Sequence, residues 1–371
     1  MTKKPKSILI CSNYGWTIYN FRLPLINYLK KKGYEIHVIT QFDGYESYFS
    51  SNVDGVHDLF LSRKGINPFV DFFTFLHLVR LIRNIKPDIC LFYTIKPVIY
   101  GSIVSALLNI PTISTITGLG TAFLSNKFLK KIVKILYKFS LRKSLVVFFQ
   151  NQDDLELFLT NNLVTKSRAK LIPGSGIDLK KFIPSGTSIS SNFTFLLVAR
   201  MIKDKGIEEF IDAAKFIKKV HPDVIFNLVG PLGVENRSAI HPKYIENWTK
   251  QEVINYLGEV NNIQPYIEDS DCIVLPSYRE GTSRVLLEAA AMSKPLIASN
   301  VPGCKEIVSD GINGYLCIPR DSNDLQKQML KMLQLSKYER YEMGKQGRKK
   351  VEKFYDQNLV FEIYQNEIDK I

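Results

Sequence analysis

The chain has 371 residues, 45% of them hydrophobic, which is enough for two domains with cores of their own. Its longest apolar runs fall short of the roughly 18 residues a spanning helix needs, and the basic start Met1–Lys6 leads only into Ile8–Cys11, a first strand rather than a signal peptide. Lys and Arg together number 49 against 36 Asp and Glu, so the net charge of +13 asks for an anionic partner.

In chain order, short β-like runs alternate with helical patterns. Ile8–Cys11, Ile36–Ile39, Ile89–Phe92, Thr112–Ile116 and Leu145–Phe149 are predicted strands. Leu23–Lys32, Phe69–Ile85, Val98–Asn109, Lys127–Leu141 and Asp153–Thr160 are predicted helices between and after them. This βαβ repetition predicts a parallel sheet covered on both faces. Pro173–Gly176 is a turn cluster, and Pro184 to Asn192 is polar and without periodicity.

A second series follows. Phe193–Val198, Val224–Val229, Val253–Tyr256, Cys272–Leu275 and Pro295–Ala298 are predicted strands. Ile207–Lys219, Ser283–Met292, Asp321–Leu333 and the long stretch Lys337–Ile371 are predicted helices. The expected fold is therefore α/β, with two Rossmann-like doubly wound domains facing a cleft. The expected domains are 1–185, 186–350 and a last helix, 351–371, crossing back to the first.

Charge separates the halves. Residues 1–185 hold 25 basic and 11 acidic side chains, whereas 186–371 hold 24 and 25. Between Asp88 and Asp153 there is no acidic residue. Within that gap Lys127, Lys130, Lys131, Lys134 and Lys138 fall on one side of a helix, with Phe128, Leu129, Ile132, Val133, Ile135, Leu136 and Phe139 opposite. Such a helix lies at an anionic membrane surface, or is a domain helix with a solvated lysine face. The stripe lacks interleaved aromatic platforms, which argues against nucleic acid. The five cysteines have an odd count and no C-x-x-C pair, so they read as small buried or half-buried thiols.

Two segments of the second half carry chemistry. After the strand ending near Ala199, Arg200 and Lys205 stand at its carboxyl edge beside the start of a helix. They are either solvated loop cations or the partners of a diphosphate whose charge grows as it leaves a sugar. The segment Leu275–Glu288 then runs strand, turn, helix: Gly281 permits close backbone approach, Thr282 or Ser283 can cap the helix, and its first N–H groups suit phosphate oxygens. Glu280 precedes the helix. Glu288 sits inside it among Val, Leu and Ala, where a carboxylate needs a partner. Asp269-Ser270-Asp271 has the D-x-D form of a metal site but precedes a strand, so it reads as a helix or turn closure, and no metal is expected.

This pair of segments resembles the donor site of glycosyltransferase family 4, retaining enzymes of the GT-B architecture. Val301-Pro302-Gly303 through Asn313-Gly314 continues the likeness. The resemblance implies that Arg200 and Lys205 hold the diphosphate and Glu288 the ribose. It gives Glu280 and the amides of Gly281, Thr282 and Ser283 the sugar and phosphate, and places the loop Gly258-Glu259-Val260 at the base. Gly15, in the first loop, would let the backbone approach the donor. The run Tyr19-Asn20-Phe21-Arg22, with Asn67-Pro68-Phe69 and Thr117-Gly118-Leu119-Gly120, resembles a branch that adds N-acetylhexosamines, often N-acetylgalactosamine, to undecaprenyl-diphosphate-linked sugars. Asn20, Arg22, Thr117 and Gly118 are then acceptor-side candidates. Many members carry a histidine near Thr117; this chain does not. The implied protein uses a UDP-sugar as co-substrate, no cofactor, and a lipid-linked saccharide as acceptor. It would sit peripherally on the inner face of the cytoplasmic membrane. A nucleotide-sugar epimerase of the same architecture is the alternative.

Overall fold

The computed structural model describes residues 5–61, 67–119, 127–184, 192–234 and 236–371. It comprises two compact units, Met1–Ser175 with Asn358–Ile371, and Gly176–Gln357.

In the first unit β1 (Ser7–Tyr14), β2 (Glu35–Gln41), β3 (Gly55–Asp58), β4 (Ile89–Tyr93), β5 (Thr112–Ile116), β6 (Val146–Phe149) and β7 (Ala169–Leu171) form a parallel sheet in the order 3-2-1-4-5-6-7. Side chains alternate across β1, and each set finds its own core. Leu9 and Cys11 pack with Leu78 and Ile82, Val133 and Tyr137, and Phe158. Ile8 and Ile10 pack on the other face with Ile18, Leu25, Ile26 and Leu29. The helices that supply them are α1 (Gly15–Phe21), α2 (Leu23–Lys31), α3 (Pro68–Ile85), α4 (Ser102–Leu107), α5 (Lys127–Ser140) and α6 (Gln152–Thr160).

In the second unit β8 (Thr194–Val198), β9 (Ile225–Val229), β10 (Asn255–Tyr256), β11 (Cys272–Leu275), β12 (Leu296–Ser299) and β13 (Gly314–Cys317) are also all parallel, in the order 10-9-8-11-12-13. The helices are α7 (Ile207–Val220), α8 (Pro242–Lys250), α9 (Gln264–Glu268), α10 (Arg284–Ala291), α11 (Ser322–Gln334) and α12 (Lys337–Phe354). Each sheet reverses its strand order once, between β1 and β4 and between β8 and β11. Those reversals open the crevices where such sheets take ligands.

The units part at Ser175/Gly176, upstream of residue 185. The reason is packing: Ile177 and Phe182 are buried in the core of the second unit. The long C-terminal stretch is two helices rather than one. It breaks at Tyr355–Asp356, where Asp356 bridges to Ile177, and α13 (Gln357–Ile368) packs on the first unit. There Tyr364 is fully buried and its hydroxyl shares a hydrogen bond of 2.6 Å with that of Thr115.

All five thiols are free and buried. Burial pushes Cys90 and Cys317 up to about 12 and also raises Cys11, Cys272 and Cys304 well above the usual thiol range. The thiolate is the reactive form, so the native chain should resist iodoacetamide at pH 8 and label only when denatured. Mass spectrometry checks this; rapid labelling of the native protein would contradict it.

Candidate active site

The catalytic candidates collect at the β8/β11 reversal, because β8 and β11 lie side by side and release their chains at the same edge. Arg200 follows β8 and is exposed; its guanidinium bonds to no described residue. Lys205 ends a short 3-10 turn, Lys203–Lys205. Gly206 then turns left-handed at φ 72°, and a Cβ there would strike the Pro276 carbonyl. That close approach clasps the two loops. The Tyr278 amide donates to the Asp204 carbonyl at 2.9 Å, and the Ser277 hydroxyl to the same carbonyl at 3.2 Å. Gly206→Ala adds both a clash and an unfavourable φ, and is expected to cost about 1–3 kcal/mol of stability. Thermal unfolding measures it; an unchanged midpoint would mean that the clasp is loose.

The clasp brings Lys205 onto Glu280, joining them in an ion pair that is largely buried on both sides. A third loop, after β12, holds the Glu280 turn from behind. The Glu280 amide donates to the Pro302 carbonyl and that of Ser283 to the Gly303 carbonyl, both at 3.0 Å. Gly303 has φ 81°, and a Cβ would lie 2.6 Å from the Glu280 carbonyl carbon. The Ser283 amide, expected to meet a phosphate, is thus committed to protein. Ser283 itself is the N-cap of α10, its hydroxyl accepting from the Leu286 amide at 3.4 Å. Gly281 and Thr282 complete the turn, half-buried. Glu288 is 8% exposed, and its partner is Arg284 one turn earlier, whose Nε donates at 2.8 Å. That Arg–Glu spacing of four on a helix was readable in the sequence and was missed.

Beside this cluster Gly230 and Gly258 tie the loops after β9 and β10, with the Gly230 amide donating to the Gly258 carbonyl at 2.8 Å. Val260 follows, packed partly against the core beneath α10. Asp269 and Asp271 sit at the other end of the sheet. Asp269 closes α9, and Asp271 accepts from the Thr194 amide at 2.9 Å.

In the first unit Gly15 opens α1 at the end of β1 and is buried. Its missing side chain makes room for Asp43, whose Oδ1 lies 2.6 Å from where a Cβ would stand. Asp43 also accepts from the Trp16 amide at 3.1 Å. The carboxylate thus occupies the first turn of α1, where the sequence predicts a close backbone approach to the donor. Asn20 donates to the Trp16 carbonyl at 3.0 Å. Arg22 is not at the surface: it is 5% exposed, with its guanidinium 3.9 Å over the Tyr93 ring. Its buried site comes from α2, which turns that flank of the sequence inward against β4. Thr117 and Gly118 lie half-buried just past β5, Gly118 at φ 110°.

On α5 the core takes Val133 and Tyr137 and leaves Ile135 and Phe139 exposed beside Lys131 and Lys138. Among the described residues the apolar side is therefore split between core and surface, and the outer face mixes lysines with large apolar groups. Lys134 donates to Asn161 at 2.6 Å and Lys130 is half-buried. The Lys127 side chain lies outside the described residues. No helix among those residues is long and apolar enough to cross a membrane.

The family model of glycosyl transferases group 1 matches residues 180–350, and that of glycosyl transferase 4-like proteins residues 7–151. The chain is 27% identical to the N,N'-diacetylbacillosaminyl-diphospho-undecaprenol alpha-1,3-N-acetylgalactosaminyltransferase of Campylobacter jejuni, over 97% of each protein. It is 29% identical to the UDP-Gal:alpha-D-GlcNAc-diphosphoundecaprenol alpha-1,3-galactosyltransferase of Escherichia coli, over 68% of each. The fold matches that of Anabaena HepE in complex with UDP-glucose, with a TM-score of 0.81 at 17% identity over 98% of this chain and 100% of that one. These likenesses give the epimerase alternative no support. Each matched segment falls within one of the two Rossmann-like units, and the chain belongs to the glycosyltransferases, a 4-like domain followed by a group 1 domain.

Proposed function

We propose that this glycosyltransferase moves an N-acetylhexosamine, N-acetylgalactosamine in particular, from a UDP donor to an undecaprenyl-diphosphate-linked saccharide. The transfer retains the anomeric configuration and takes place at the inner face of the cytoplasmic membrane. The observation that carries the reading is the cation pair of the second unit: Arg200, with no partner among the described residues, and a braced Lys205 at the carboxyl edge of β8. The relatives named above, matched along much or all of their length, supply the acceptor class.

The chemistry follows from charge. As the C–O bond to the sugar breaks, negative charge builds on the diphosphate. Arg200 can meet it with two N–H groups in one plane, and Lys205 with an ammonium already fixed in place by Glu280. The brace leaves the ammonium little reorganisation to undergo when the charge appears. Glu280, beside that ammonium, meets a sugar hydroxyl. Glu288, near the middle of α10, takes the ribose, and Val260 lies beside the base. With two cations on the leaving group, the step needs no metal. Acceptor contacts fall to Asn20, Thr117 and Gly118, with Arg22 stiffening that region through Tyr93. The exposed lysines of α5 face anionic lipid.

The test supplies radiolabelled UDP-N-acetylgalactosamine, UDP-N-acetylglucosamine and UDP-galactose with a short-chain polyprenyl-diphosphate N-acetylhexosamine. Label should enter the lipid phase, most rapidly from UDP-N-acetylgalactosamine, with an α linkage by NMR. Isomerised sugar nucleotide without lipid product would overturn the reading.

A further inference from the structure

Helix α3 carries a surface that the transfer reaction does not use. Its buried residues are Asp71, Thr74, Leu78 and Ile82. On the opposite side Phe69, Phe72, Phe73 and Leu76 are 78%, 57%, 59% and 45% exposed. At 100° per residue these four fall within about 100° of one another, as a single stripe. Arg80 and Arg83 continue the same side towards the C-terminal end, both exposed. The one acidic residue of the helix, Asp71, is buried and paired with Lys96 at 2.6 Å. The outward face is therefore apolar over its first two turns and cationic over its last two, with no acid on it.

Three exposed phenylalanines in eight residues are a liability in water, and isolated exposed apolar side chains do not account for a contiguous stripe. A protein partner is matched by the aromatic part alone. An anionic bilayer is matched by both parts. From Phe69 to Arg83 the helix rises about 21 Å, so a tilted α3 can place its aromatic end at the acyl boundary and its guanidinium groups among the phosphates. We infer that α3 is a membrane-inserting element, docking the first unit on an anionic lipid surface through Phe69, Phe72, Phe73 and Leu76 with Arg80 and Arg83 at headgroup level. This goes beyond the lysine face of α5, which can attract a surface by charge and whose exposed large apolar groups, among the described residues, are Ile135 and Phe139. It rests on the lipid-linked acceptor reading only for its purpose, not for its physics.

The test is sedimentation of the full chain with vesicles of phosphatidylglycerol and phosphatidylcholine in equal parts, and with phosphatidylcholine alone. Phe72→Ser/Phe73→Ser should weaken binding to the mixed vesicles about tenfold or more. Both residues are exposed, so the thermal unfolding midpoint should not move. Arg80→Glu/Arg83→Glu should weaken binding to the mixed vesicles and leave the small binding to phosphatidylcholine unchanged. Phe72→Trp should blue-shift on the mixed vesicles and be quenched by brominated acyl chains. Wild-type vesicle binding by Phe72→Ser/Phe73→Ser would overturn the inference. So would a wild-type dimer that this variant converts to monomer, since the stripe would then be a contact between copies. Vesicle binding that depends on the stripe, in a chain that transfers no sugar to any polyprenyl acceptor, would uphold insertion while removing the proposed acceptor.

Discussion

Lys205→Ala is expected to lower turnover about 100- to 1000-fold, the cost of removing one preorganised donor from a developing anion. The Michaelis constant for the donor should change far less, because the ammonium matters most when the diphosphate is leaving. The substitution also takes the ion-pair partner from Glu280, whose side chain is 13% exposed. A stability loss of about 1–3 kcal/mol is expected from that alone. Glu280→Gln, alone and together with Lys205→Ala, separates the two effects: the carboxylate is gone from both, so stability should recover in the double variant while its turnover stays well below that of Glu280→Gln alone. Steady-state kinetics alongside thermal unfolding read both. Recovery of turnover together with stability would mean that Lys205 serves the fold and not the leaving group.

The second large effect is on binding. Glu288→Ala should raise the donor Michaelis constant about 10- to 100-fold, the worth of hydrogen bonds to a charged acceptor, with little change in turnover. Glu288 is held by Arg284 on the same helix at 2.8 Å, so its carboxylate has a fixed position before any donor arrives. A donor lacking the ribose hydroxyls distinguishes a direct contact from a merely structural one. The wild-type chain should discriminate strongly against the deoxyribose donor, and Glu288→Ala should not. Equal discrimination by both would place the ribose elsewhere.

Much of this site was readable before any coordinates. Arg200, Lys205, Glu280 and Glu288 each stand just after a strand or inside the helix that follows, and apolar runs of four or five residues mark such strands well. What stayed hidden depended on partners distant in sequence. The closeness of Asp43 to Gly15 needs β1 and β2 side by side, and the use of the Ser283 amide by Gly303 needs β11 beside β12. Strands β3 and β7 escaped notice because Gly55-Val56-His57-Asp58 and Ala169-Lys170-Leu171 are short edge strands with no apolar run. The exposed face of α3 was hidden for the opposite reason. Its sequence is apolar on nearly every side, so periodicity alone cannot say which phenylalanines the core declines.

Neutralisation of a departing diphosphate by the second unit is tested most directly by a crystal structure with UDP bound. The predicted result has phosphate oxygens within hydrogen-bond distance of the Arg200 guanidinium and the Lys205 ammonium, beside the start of α10, with the ribose hydroxyls on Glu288. UDP bound with its phosphates out of reach of both cations would contradict it.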